Sequence, residues 1–163
     1  MQNIVLVMVL VVNVSLYSAY MVINQSGNYE LGNEIEYAPS IIGEAIIQIS
    51  VGNVVLDLGN NFVTQNGGLS GSVGILIDAG LSNIMIKNGT ILNVQGNGVV
   101  VNNNCANDSF ENVNVINSES DAFFVVFAIS PNTCRIIDIT DCYSINCGQT
   151  AAAMGYSFVH CTE

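Results

Sequence analysis

The sequence predicts an all-β chain wound into a parallel β-helix, and three observations carry that prediction. One apolar unit recurs at a step of about 24 residues: Gly74-Ile75-Leu76-Ile77-Asp78, then Gly98-Val99-Val100-Val101-Asn102, then Ala122-Phe123-Phe124-Val125-Val126. A second strand follows each copy, as Asn83-Ile84-Met85-Ile86-Lys87-Asn88-Gly89, Asn112-Val113-Asn114-Val115-Ile116-Asn117-Ser118 and Ile136-Ile137-Asp138-Ile139-Thr140-Asp141-Cys142. The joining segments are Gly, Asn, Ser and Asp turns without an amphipathic helix, which excludes alternating strand–helix architectures. Equivalent strands of successive coils then stack in parallel about 4.8 Å apart, burying a continuous apolar column that no single coil can bury.

Composition agrees with this reading and narrows the partners. The 163 residues are 50% apolar, ample for the core of a single domain. Only 9% are charged, with one Lys and one Arg, and the net charge is −11. Phosphate binding needs clustered cations, so the balance argues against nucleic acid and disfavours anionic membranes.

In chain order, residues 4–12 are an unbroken apolar run followed by small residues, and 1–20 read as a secretory leader. Left uncleaved, the stretch from Ile4 to Ile23 is just long enough to span a bilayer as a signal anchor. The competing reading is a buried β-branched strand pair at the start of the domain. Residues 21–163 are read as the β-helix domain, and 21–31, strand–turn–strand, as a cap over its first coil. Ala45-Ile46-Ile47-Gln48-Ile49 takes the place of Gly74 to Asp78, and Val54-Val55-Leu56-Asp57-Leu58 that of Ile84 to Asn88. Residues 60–72, rich in Gly, Asn and Ser, read as a long loop of the kind on which solenoids carry binding sites. Coils follow over 74–97, 98–121, about 122–147, and in part from 148. The chain stops inside a further strand at 156–159, so the domain reads as a fragment truncated at its C-terminal end, or as an open last coil that self-associates.

The segments Ser26-Gly27-Asn28-Tyr29-Glu30-Leu31, Asn53-Val54-Val55-Leu56-Asp57-Leu58, Gly74-Ile75 and Ser82-Asn83-Ile84-Met85-Ile86-Lys87-Asn88-Gly89-Thr90-Ile91 resemble the opening coils of right-handed parallel β-helix proteins of the pectin-lyase-like superfamily. The likeness spans about residues 22–163 and implies the fold more sharply than the activity. The superfamily includes pectate and pectin lyases, polygalacturonases, viral tailspikes and non-catalytic surface proteins. Its lyases combine calcium-binding carboxylates with a cationic Arg or Lys that removes the proton beside the uronate carboxyl. On that resemblance the catalytic candidates are Lys87, Arg135 and Asp138, and the calcium candidates are Asp57, Asp78 and Asp121. Calcium enters only if the chain is a lyase; otherwise no cofactor is implied. The Asn-x-Asp, Asp-Asp, Gly-His-Gly and Arg-x-Lys blocks of the polygalacturonases are absent, and His160 is not followed by Gly.

Alternate residues share a face, which turns Ile84/Ile86, Val113/Val115 and Ile137/Ile139 inward. Outside, Asp57 lies one coil below Lys87 and Glu111 one coil below Arg135, so both cations form surface ion pairs of about 0–1 kcal/mol. Two corner columns are expected, Asn53/Asn83/Asn112 and Asn88/Asn117/Asp141, the second leading on to His160. Phe110, Phe123, Phe124 and Phe127 read as stacked core, with an exposed sugar platform as the competing use. Cys105, Cys134, Cys142, Cys147 and Cys161 fit no zinc spacing and read mostly as core or turn residues, with a Cys105–Cys134 bridge as one open pairing. Asn24, Asn88 and Asn107 head N-x-S/T sequons, glycan acceptors in a eukaryotic secretory pathway. Together these features describe an acidic scaffold, secreted or held at a cell or particle surface. Its polysaccharide contacts are expected at residues 60–72 and on an outward face bearing Asp57, Lys87, Asn114 and Asp138. The alternative is a polysaccharide lyase or glycoside hydrolase completed by further coils or neighbouring subunits.

Overall fold

The structure is a computed structural model that describes residues 10–12, 21–126 and 137–147. Among these residues there is no helix; strands wind a parallel β-solenoid of about four turns. Strand β1 (Leu10–Val12) precedes a first coil of β2 (Met21–Ile23), β3 (Gly27–Leu31) and β4 (Ile35–Tyr37). The second coil has β5 (Ala45–Ile49), β6 (Val54–Asp57) and β7 (Phe62–Gln65), and the third β8 (Val73–Ile77) and β9 (Ile84–Leu92). The fourth has β10 (Val99–Val101) and β11 (Asp108–Ile116), and the last β12 (Phe123–Val125), β13 (Ile137–Thr140) and β14 (Ser144–Ile145).

Every recorded pairing is parallel, and the coils present three sides. Side one stacks β2, β5, β8, β10 and β12. Side two stacks β3, β6, the first halves of β9 and β11, and β13, with β1 paired to β3 at its edge. Side three stacks β4, β7, the second halves of β9 and β11, and β14. Residues 21–31 are therefore the first coil itself, each strand paired into the stack, and not a cap over it. Part of the expected 60–72 loop is a strand as well: Val63 of β7 enters the core and pairs with Ile35 and Ile91.

The repeat is regular only where the sequence makes it so. Coil length averages about 28 residues, while the steps linking Asn83 to Asn107 and Asn93 to Asn117 are 24. Ala45 pairs with Val73, one residue off the register expected from the repeat, and Ile47 with Ile75. The expected register would have turned Gln48 into the column of Ile77; the observed one keeps Ile47 and Ile49 inside.

The core is a stack of like residues from all three sides. Ile47, Ile49, Ile75, Ile77 and Val99 fill side one, Leu56, Ile86 and Phe110 side two, and Val63, Ile91 and Val115 side three, all buried. Phe110 meets Phe123 edge to face at 5.5 Å, so these two rings are core, as expected. Gly98, which opens one copy of the repeat, has a packing reason: a Cβ there would lie 2.4 Å from Val115 Cγ1 and 2.7 Å from the Ala122 carbonyl oxygen.

Asparagine makes the corners. Among the described residues, every non-glycine residue with positive φ is Asn, except Asp141. Asn tolerates this left-handed conformation because its short amide bonds locally. At Asn88 and Asn112 the in–out alternation of β9 and β11 slips by one residue, which bends the chain from side two onto side three. The amides link successive coils in three rows: Asn53–Asn83–Asn107 (3.0 and 3.4 Å), Asn88–Asn112 (3.3 Å) and Asn93–Asn117–Asn146 (2.9 and 3.2 Å). This corrects the two expected columns, which placed Asn112 over Asn83 and Asn117 over Asn88. Corners recur every five residues within a coil, so an alignment displaced by one corner matches Asn to Asn almost as well. His160, Phe127, Cys134, Cys161 and Arg135 lie outside the described residues.

Candidate functional site

Side two carries the charge. Its outward column runs Glu30, Asp57, Lys87, Glu111, Thr140, and the neighbouring one Asn28, Val55, Met85, Ser109, Asp138. Lys87 Nζ lies 3.2 Å from Asp57 Oδ2, as the stacking predicts. Partial burial works to raise the Asp57 carboxyl, but hydrogen bonds from the Gly59 N–H and the Asn88 amide, with the Lys87 ammonium, hold it below its ordinary value. The expected partner of Glu111, Arg135, lies outside the described residues; Glu111 itself stands opposite Thr140. The strand it was aligned from begins at Asp108 rather than Asn112. Asp138 is exposed and sits in the column beside that of Lys87, two coils above it, so the structure does not bring those two candidates together.

The three candidate calcium ligands lie at separate corners, and the carboxylates of Asp57 and Asp78 are taken up by protein partners. Asp57 ends β6; Asp78 follows β8 and accepts from Gln48 Nε2 at 2.9 Å and Ser50 Oγ at 2.6 Å. Asp121 precedes β12; partial burial raises its carboxyl. Among the described residues, no group of three or more His, Cys, Asp or Glu is placed to hold a metal ion.

Side three is different in kind. One outward column reads Phe62, Thr90, Asn114, Tyr143 and the other Thr64, Leu92, Ile116, Ile145. From β7 to β14 none of these eight positions is charged; Glu36 of β4, opposite Thr64, is the acidic lower border and accepts from the Asn66 amide. Phe62 is 44% exposed, Tyr143 42% and Ile145 47%, so rings stand at both ends of one column. Phe62 and Tyr143 are three coils apart, about 14 Å at ~4.8 Å per coil. Between them Asn114 Oδ1 is shielded and has no hydrogen-bond partner. Beyond the Asn93–Asn117–Asn146 corner the surface falls into a shallow groove lined by Gln95, Ser118, Glu119 and Cys147. The outward face expected to unite Asp57, Lys87, Asn114 and Asp138 is thus two faces, because the corner at Asn112 turns Asn114 away from the others.

The remaining loop, 66–72, is pinned. Gln65 is buried, and its Oε1 accepts from Ser72 Oγ at 2.6 Å and Gln95 N–H at 2.8 Å. Leu69 beside it, and Ile41 and Ile42 at the tip between β4 and β5, are exposed. Of the sequon asparagines, Asn24 and Asn107 are exposed, whereas Asn88 is half-buried with its amide bonded to Asp57. Cys105 is buried and donates to the Asp78 carbonyl; buried Cys142 donates to the Phe110 and Thr140 carbonyls, and burial pushes its thiol pKa up.

Sequence reasoning missed Asp108. It is only 1% exposed and occupies the inward column of Val54, Ile84 and Ile137. Its Oδ1 accepts from the Ile84 N–H at 3.1 Å, while Oδ2 has no partner. Burial raises this carboxyl to about 6, against the lowering effect of the Ile84 bond. The available signal was the 24-residue step itself, which places Asp108 over Ile84.

No protein-family model, curated protein or solved structure matches this chain.

Proposed function

We propose that the chain is a scaffold of the pectin-lyase-like kind, exported to a cell or particle surface, whose lateral sheet presents a carbohydrate-binding face. The observation that carries this reading is side three: a stack of uncharged residues with two exposed rings in a protein of net charge −11. Sugars offer apolar C–H faces to aromatic rings and hydroxyls to amides and alcohols, and side three supplies both kinds of partner. The scaffold reading is favoured over a lyase because Lys87, the cation among the described residues, is bound to Asp57 and stands apart from Asp138.

The test is incubation of the full chain with a panel of neutral and uronate polysaccharides, with and without calcium, following both retained protein and newly released chain ends. Retention without cleavage supports the scaffold. Unsaturated products that appear only with calcium would replace it with the lyase reading, and absence of both refutes carbohydrate binding.

A further inference from the structure

Resting on the carbohydrate reading, we infer that side three is a track for a neutral, extended glycan lying parallel to the solenoid axis. The chain stacks on Phe62 and Tyr143 at the two ends and is hydrogen-bonded between them by Thr90 and Asn114.

Size selects the class of occupant. Four strands at ~4.8 Å and about five residues at ~3.3 Å give a face of roughly 300 Å². A standard protein–protein interface covers about 800 Å² on each partner, more than twice this area. A second copy of the chain is therefore a poor fit, while a few sugar rings cover the face.

Charge selects the kind of sugar. Glu36 borders the face below, and the acidic column of Glu30, Asp57 and Glu111 runs along side two, around the corner. A uronate or sulfated chain would meet like charge there, and Lys87, the cation among the described residues, is engaged by Asp57. A neutral chain meets none.

Spacing fixes the direction. Phe62 and Tyr143 share a column three coils apart, and an extended β-linked chain advances by roughly one ring per coil rise. Rings stacked on the two aromatics are then joined by rings over Thr90 and Asn114, so the track holds about four sugars. Asn114 stands between the two rings. Its Oδ1 has no partner and is shielded by the protein itself, so it meets a sugar hydroxyl once the amide turns it outward. The amide is a broad two-fold rotor, so it can turn either of its polar atoms towards the chain.

The experiment is calorimetric titration of the full chain with cello-, manno- and xylo-oligosaccharides from disaccharide to hexasaccharide, with oligogalacturonates of matching length. Affinity should rise to the tetrasaccharide and then level off for at least one neutral series, with the uronates weaker. Phe62→Ala, Tyr143→Ala and Asn114→Ala should each lower affinity about three- to tenfold. Phe62→Tyr should retain binding, and Asp138→Asn on side two should not change it. Thermal melting of each variant identifies any loss that is merely unfolding. Neutral binding that side-three variants leave intact, or uronates binding as well as neutral chains, overturns the track and leaves the carbohydrate reading standing. If no carbohydrate binds, both fall.

Discussion

Replacing Asp108 by Asn should remove a pH dependence of stability that a buried carboxyl writes into the fold. The native carboxyl keeps its proton to about pH 6, whereas the unfolded chain releases it near 3.8. Between those values the native state binds more protons than the unfolded state, so stability falls as pH rises. The contribution is fully present below 3.8 and lost above about 6. A displacement of about two units at 1.36 kcal/mol each is about 3 kcal/mol. For a chain of 163 residues that corresponds to roughly 6–12 °C in melting temperature. Asparagine keeps an acceptor for the Ile84 N–H and cannot ionise. The assay is a series of melts of both proteins across pH 3.5–8. Taking the difference between the proteins cancels carboxylates such as Asp57 and Glu44, whose lowered pKa values act in the opposite sense. The variant should gain on the wild type as pH rises through the window and hold a constant lead above it. A difference that is flat with pH would refute the argument. So would a variant less stable than wild type at pH 7.

Other substitutions test the packing and the corners. Gly98→Ala should cost about 1–3 kcal/mol in urea melts, because the Ala122 carbonyl at 2.7 Å is backbone and cannot turn aside. Asn112→Ala should cost about 1–2 kcal/mol for forcing alanine into the left-handed region, with Asn112→Gly costing less; equal losses would show that the φ of 53° is not the cause. Lys87→Met should shift stability by less than about 1 kcal/mol, and the Asp57 carboxyl should titrate higher by NMR.

Much of the architecture was legible because stacking rewards repetition. Gly74 and Gly98 open matched strands, and their partners Ile75, Val99 and Phe123 fall in one column as the repeat foretells. Asp57 and Lys87 were placed correctly because strand alternation and one coil step suffice to find them. Legibility failed where two registers read alike. The Asn corners recur every five residues, so the sequence alone does not distinguish Asn112 over Asn83 from Asn112 over Asn88; the interior does, since only the latter stacks Val113 over Gly89 and Phe110 over Ile86. The same displacement concealed Asp108 among the isoleucines and merged sides two and three, hiding the column that joins Phe62 to Tyr143. Strand β7 was hidden by its setting, four residues within a stretch whose Gly, Asn and Ser content reads as loop.

The asparagine rows give the molecule a direction. In all of them the Nδ2 of the later coil donates to the Oδ1 of the earlier one. Each amide is thus a link in a one-way chain of aligned dipoles, in which one bond polarises the next. An inserted coil is compatible with those rows only if it brings its corner amides in the same phase. The 24-residue unit meets that condition, so duplicating residues 98–121 in tandem should lengthen the solenoid without leaving an amide unpaired in the middle. The rows also span steps of 30 and 29 residues, at Asn53–Asn83 and Asn117–Asn146, so an inserted coil must keep the place of its corners rather than a fixed length. Such a fold grows in whole coils, which makes its length a count and its lateral binding surface extensible in the same increments.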